Sequence, residues 1–192
     1  MKVLIVGGGG REHAITWAVA KSPRVDKIYA APGNAGIAEL AECVDISVMD
    51  AEKLVAFAKE KEIDFVIVGP DDPLAAGVAD AFLDAGIKTF GPRKNAAIIE
   101  ASKAFSKDLM KKYDIPSAKY ETFTDPGKAL DFLKTMNPPY VIKADGLALG
   151  KGVLICQNLD EASAGIREIM IDKKFGDSGN KIVIEEFMTG RE

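Results

Sequence analysis

The chain is poor in the residues that most readily classify a protein. It has two cysteines, Cys43 and Cys156, and one histidine, His13, in 192 residues. Cysteines so far apart, each in a strand-like setting, predict reduced core thiols and disfavour a disulfide, a metal pair or structural zinc. A lone histidine more often packs or caps than catalyses. No apolar run approaches the length of a membrane span, and the apolar opening Val3 to Val6 is far too short for a signal peptide. There is no block of lysine and arginine interleaved with aromatics, and the net charge is −4, which argues against nucleic acid as a partner. What remains is an ordinary globular composition, 47% hydrophobic and 28% charged, expected in the cytoplasm with small-molecule partners and no membrane.

The first 92 residues alternate between strand and helix patterns. Lys2 to Val6 is a nearly continuous apolar run ending in glycines, and Arg11 to Lys21 carries helical spacing through Ile15, Ala18 and Val19. Further strands are predicted at Lys27 to Ala30, Val44 to Ser47, Asp64 to Val68 and Lys88 to Phe90. Helices are predicted from Ala51 to Lys61, capped by Asp50, and from Leu74 to Ala85, with Asp72 as N-cap and Pro73 at its first position. This alternation predicts an α/β fold, a doubly wound parallel sheet with helices on both faces. Asn95 to Tyr113 reads as helical, divided near Ala101 and Ser102. A small α+β module is then predicted, with a strand at Ser117 to Phe123, a helix from Asp125 to Met136, a hairpin from Tyr140, a helix from Glu161 to Ile171 and a strand from Lys181 to Phe187.

Two glycine-rich segments carry the chemistry. Between Tyr140 and Val153, Lys143 and Lys151 flank Gly146, Gly150 and Gly152. Glycines let backbone N–H groups approach an anion and the ammoniums neutralise it, so the segment suits a polyphosphate such as ATP. Lys143 falls inside a strand, where burial without an anionic partner would be costly. The spacing is not that of a P-loop, because Gly152 stands where a hydroxyl residue should follow Lys151. The second segment, Gly7 to Gly10 with Arg11, Glu12 and His13, follows the first strand but fails the dinucleotide fingerprint. The third glycine position is Glu12 or His13, and the second strand ends in Ala30-Ala31-Pro32 without an acid. Such a turn can hold a sugar phosphate with Arg11 adding charge, or be a packing turn with Arg11 and Glu12 as a solvated pair.

Six stretches together resemble one family: GGGGREHA at 7–14 with APGNAG at 31–36, GPDDPL at 69–74, SKAFSKDLM at 102–110, VIKADGLALGKGV at 141–153 and VIEEFMTGRE at 183–192. They are similar to phosphoribosylamine–glycine ligase, also called glycinamide ribonucleotide synthetase, of the ATP-grasp superfamily. The resemblance implies a Rossmann-like substrate domain over 1–100, a helical connection over 101–116, an ATP-grasp lid over 117–184 and the start of a large subdomain over 185–192. It implies ligation of glycine to 5-phosphoribosylamine through a glycyl phosphate, giving glycinamide ribonucleotide, ADP and phosphate in purine biosynthesis. Lys103 and Lys143 would reach the ATP phosphates, and Asp145, Gly146, Gly150, Lys151 and Gly152 would form the loop over them. Glu185, Glu186, Phe187 and Met188 would meet adenine and Glu192 the ribose. Gly9, Gly10, Arg11, Glu12, His13, Gly33, Asn34, Asp71 and Pro73 would bind the phosphoribosyl substrate. Mg²⁺ or Mn²⁺ is implied, with ligands expected beyond Glu192, and no catalytic residue is assigned within the segment.

Asp71 departs from the family pattern, which usually has glutamate there, one methylene longer. The chain also stops where the large ATP-grasp sheet should begin, so it reads as a fragment expected to be inactive alone. Other readings are a different ATP-grasp carboxylate–amine ligase or a carboxylase, and, from another class, a non-catalytic nucleotide-binding module or a Rossmann oxidoreductase.

Overall fold

The computed structural model describes residues 1–148 and 151–191, which fall into two compact units, Met1–Ala97 and Ile98–Glu192. Among the described residues no helix is long and apolar enough to cross a membrane.

In the first unit the apolar runs form a parallel five-stranded sheet. In chain order its elements are β1 (Lys2–Gly7), α1 (Gly10–Ala20), β2 (Lys27–Pro32), β3 (Glu42–Cys43), α2 (Ala51–Glu60), β4 (Phe65–Val68), α3 (Asp71–Ala76), α4 (Val78–Asp84), β5 (Thr89–Phe90) and α5 (Lys94–Ala101), the last running past the boundary of the unit. Strand order is β3-β2-β1-β4-β5, all parallel. Successive side chains of a strand face opposite sides, so β1 contributes to two cores. Val3 and Ile5 join Ile28, Ala30 and Ile37, with Ile15 and Val19 of α1 packed against them. Leu4 and Val6 join Val66, Val68, Leu54 and Phe82 on the other face. Each fully buried Leu, Ile or Phe is worth about 1.5–3 kcal/mol, so these two clusters hold the unit together. Because β2 and β3 lie on one side of β1 and β4 and β5 on the other, strand order reverses between β1 and β4. A crevice outside the carboxyl ends of strands is expected at such a switch.

Three local expectations change. The strand predicted over Val44 to Ser47 lies two residues earlier, at Glu42–Cys43, and its pairing ends with Val44 N donating to Ala30 O at 2.8 Å. Val44, Ile46 and Val48 turn instead toward the α2-side core. The single helix predicted over Leu74 to Ala85 is two, because Gly77 at φ +99° ends α3 and its N–H reaches the carbonyls of Pro73 and Leu74. Asp72 is no N-cap: α3 starts at Asp71 after extended Pro70. Asp50 does cap α2, accepting from Lys53 N at 3.1 Å.

The second unit is an antiparallel sheet with order β6-β9-β7-β8. Its elements are α6 (Lys103–Lys112), β6 (Tyr120–Phe123), α7 (Pro126–Leu133), β7 (Tyr140–Ala144), β8 (Val153–Cys156), α8 (Leu159–Ile166) with one π turn at Arg167–Ile171, and β9 (Ile182–Glu186). The helical stretch before it divides at Ser102, as its sequence predicts, because the Ser102 hydroxyl accepts from Phe105 N at 3.1 Å and caps α6. Strand β6 starts three residues later than predicted, and α7 stops at Leu133, where Met136 N turns back to Leu133 O at 3.1 Å. One sheet face packs Tyr140, Ile142, Ala144, Ile182 and Ile184 against α7 and α8. Alternation puts Val141, Lys143, Val153, Ile155, Val183 and Glu185 on the opposite face, where Val153 and Ile155 are exposed.

Candidate functional site

In the first unit the ends of β1, β2 and β4 bring several of the predicted residues together. The Glu12 side chain is only 4% exposed, and its Oε2 accepts from Gly9 N at 2.7 Å. A methyl at Gly7 or Gly69 would overlap this side chain, and one at Gly9 would lie 2.9 Å from Oε2. Those glycines thus leave space for a carboxylate of the chain itself, and the solvated Arg11–Glu12 pair is not formed. Arg11 spans the switch point, donating to Gly69 O at 3.1 Å and lying 3.3 Å from the Asp71 carboxylate. The Asn34 side chain ties the second loop to the first, donating to Gly8 O at 2.8 Å and accepting from Ile37 N at 2.9 Å. Gly33, at φ +73°, donates to Gly7 O at 3.1 Å, and a methyl there would overlap Cys43 Sγ. His13 packs against Gly36, Gly10 opens α1, and Pro73 is buried in α3.

In the second unit the start of α6 and the loop after β7 lock together. Asp145 accepts from Ala104 N at 2.7 Å and from the Ser102 hydroxyl at 3.1 Å, with Lys181 Nζ 3.7 Å away. A carboxylate at a helix N-terminus meets unpaired N–H groups and the positive end of the helix dipole, so this contact fixes loop to helix. Lys103 adds two bonds: its N–H donates to Asp145 O at 3.1 Å and its ammonium to Gly146 O at 3.0 Å. Read as a solvated helix residue on pattern alone, Lys103 is half-buried. Burial pulls its pKa below the usual lysine value; Asp145 opposes the shift and the Lys143 ammonium adds to it. Gly146 is pressed against Ser178, whose hydroxyl donates to Leu147 O at 2.9 Å. A methyl at Gly152 would lie 2.6 Å from Ala148 Cβ, and Lys151 beside it is exposed.

On the other sheet face lies Glu185, 4% exposed, beside buried Val141 and Val183. Lys143 Nζ is 2.9 Å from its Oε1 and Lys107 Nζ 3.1 Å from its Oε2. Glu186 Oε1 accepts from Lys119 N at 2.8 Å, while Phe187 and Met188 are exposed past the strand end. Gly150 and Glu192 lie outside the described residues. The sequence reading missed Ser102, Lys107, Ser178 and Lys181. Lys107 had a signal: it stands one helical turn after Lys103, on the same face. Among the described residues no three His, Cys, Asp or Glu side chains are grouped to hold a metal ion, so none is assigned as a magnesium ligand.

A parallel sheet followed by an antiparallel sheet places the chain in the α/β class. The fold is similar to that of the biotin carboxylase domain of Hydrogenobacter thermophilus 2-oxoglutarate carboxylase, with a TM-score of 0.78 over 97% of this chain and 44% of that one, at 20% identity. Within that class, the chain belongs to the phosphoribosylglycinamide synthetase family. Residues 1–100 match the family's N domain and 101–192 its ATP-grasp (A) domain. It is 52% identical to phosphoribosylamine–glycine ligase of Pasteurella multocida, covering 100% of this chain and 45% of that protein. It resembles the crystal structure of the Thermotoga maritima phosphoribosylamine–glycine ligase at a TM-score of 0.81 and 35% identity, covering 100% of this chain and 45% of that one. The chain thus spans a little under half the length of the relatives it matches.

Proposed function

We propose that this chain is the substrate-binding and ATP-lid part of a phosphoribosylamine–glycine ligase, joining glycine to 5-phosphoribosylamine with conversion of ATP to ADP and phosphate, in the cytoplasm. Residues 1–100 act as the phosphoribosyl-substrate domain, 101–116 as a connection, 117–184 as the lid and 185–192 as the start of the large subdomain. One observation carries the reading: Lys143 and Glu185 share a sheet face with exposed Val153 and Ile155. An apolar strip beside ammoniums fits the two ends of a nucleotide, a flat base and a polyphosphate. Lys143 and Lys103 would hold the phosphates, and the Asp145 to Gly152 loop would cover them. Such transfer chemistry depends on positioning and on neutralising phosphate charge, which fixed ammoniums do at little reorganisation cost. A divalent cation would add to that neutralisation when bound. Arg11 and the β1 turn would receive the phosphoribosyl group.

ADP release by the full-length gene product tests this with glycine and phosphoribosylamine, against other amino acids and bicarbonate. Turnover is expected only with the glycine pair. Release driven by bicarbonate would make the protein a carboxylase instead.

A further inference from the structure

We propose that Lys107 is a positioning residue that keeps the Lys143 ammonium available to an anionic ligand by sharing Glu185 with it. This rests on the reading that Lys143 meets the ATP phosphates. The Lys107 side chain is 11% exposed and its partner Glu185 6%, against 26% for Lys143. Lys107 is committed inward: besides Glu185 at 3.1 Å it donates to the Ser117 hydroxyl at 2.6 Å and lies 5.6 Å from the Tyr120 ring centroid. That ring is itself fixed, since the Tyr120 hydroxyl donates to Asp108 at 2.8 Å. Burial and that hydrogen bond push the Tyr120 phenol up to about 12.

The charges around Glu185 do not cancel. One carboxylate faces two ammoniums, which leaves one positive charge in excess at a largely buried cluster where water screens weakly. Moreover, Glu185 Oε1 is buried without a hydrogen bond of regular geometry although Lys143 is 2.9 Å away. Lys143 is therefore held to Glu185 by charge rather than by a directed hydrogen bond. Without Lys107, Glu185 and Lys143 would form a one-to-one pair, with the Lys143 charge spent on its neighbour. Lys107 thus raises anion affinity without touching the anion.

The test measures dissociation constants for ATP and adenosine in the full-length gene product and its Lys107→Met, Lys107→Arg, Lys143→Met and Lys107→Met/Lys143→Met variants. Lys107→Met is expected to weaken ATP about tenfold, the order expected for one interacting charge, and to leave adenosine unchanged. Lys107→Arg keeps ATP binding within about twofold, and the double variant is no weaker for ATP than Lys143→Met, as coupled groups require. Lys107→Gln, neutral but still polar, repeats the comparison should Lys107→Met not fold. Equal losses for ATP and adenosine would reduce Lys107 to a packing role, and additive losses in the double variant would make it a direct ligand; either overturns the proposal. If Lys143→Met weakens ATP but Lys107→Met and Lys107→Gln do not, only the Lys107 role falls. A wild-type protein that binds no ATP overturns the functional reading as well.

Discussion

Among the described residues each unit buries one carboxylate to the same degree, Glu12 and Glu185 both at 4% exposure, and satisfies it in opposite ways. Glu12 is answered by the backbone, through Gly9 N–H at 2.7 Å and the first turn of α1. Glu185 is answered by side chains, with Lys107 and Lys143 on its two oxygens. Backbone donors carry no net charge, so Glu12 shapes a turn and uses up part of its anion-binding capacity. Two ammoniums overcompensate, so the surroundings of Glu185 still attract an anion. The contrast separates a glycine turn built around its own acid from a side-chain cluster left with one positive charge over.

Removing Glu185 should have the largest effect. Glu185→Leu leaves two adjacent ammoniums without their acid, and breaking such a buried arrangement costs roughly 3–5 kcal/mol in urea unfolding. A loss under about 1 kcal/mol would mean the cluster behaves like a surface ion pair and would collapse the contrast. Glu12→Ala empties the space under the turn and orphans Gly9 N–H, for about 2–3 kcal/mol, whereas Glu12→Gln, which keeps shape and an acceptor, should cost about 1 kcal/mol. Equal losses for the two variants would show that charge, not shape, holds the turn.

Gly69→Ala sharpens the same point. Its methyl would overlap the Glu12 carboxylate, so a loss of about 1–3 kcal/mol is expected from overpacking. In a Glu12→Ala background that loss should nearly vanish; if it persists, Gly69 answers to something other than Glu12.

The smallest effect is a pH dependence. Burial lowers the Lys103 pKa below the usual lysine value of 10.5, so between the lowered value and 10.5 the unfolded chain binds more protons than the folded one. Stability contributed by this site therefore rises with pH through that window, and below it the buried charge is a standing cost. Lys103→Met should remove this component. The difference in melting temperature between wild type and variant should narrow, or turn in favour of wild type, as pH rises toward 10.5, and a flat difference would refute the assignment.

Which parts of this were legible beforehand follows from the range of the interactions. Parallel strands and the caps Asp50, Ser102 and Asp125 are written in local pattern, because a cap needs only a side chain and an N–H three residues on. Lys143 was recognisable as a strand lysine with an anionic partner, but that partner, Glu185, lies 42 residues away along the sequence, on the adjacent strand β9. Glu12 misled because its neighbours are glycines at 7, 9 and 69, and only the folded switch point shows that they surround it. Lys107 shares a helix face with Lys103, but its burial depends on β9 arriving beside α6, which local spacing does not show. The split at Gly77 was missed for the converse reason: an alanine-rich helix pattern runs across it, while the backbone takes a left-handed turn there.

The five-stranded sheet ends in β3 at one edge and β5 at the other, each two residues long. An edge that short exposes few unpaired backbone groups, which is how natural sheets avoid recruiting further strands. The first unit is therefore a closed account for β-pairing: no strand of another molecule gains much by adding to it. By contrast β8, four residues long with Val153 and Ile155 exposed, leaves the second unit a longer margin of backbone at its sheet edge.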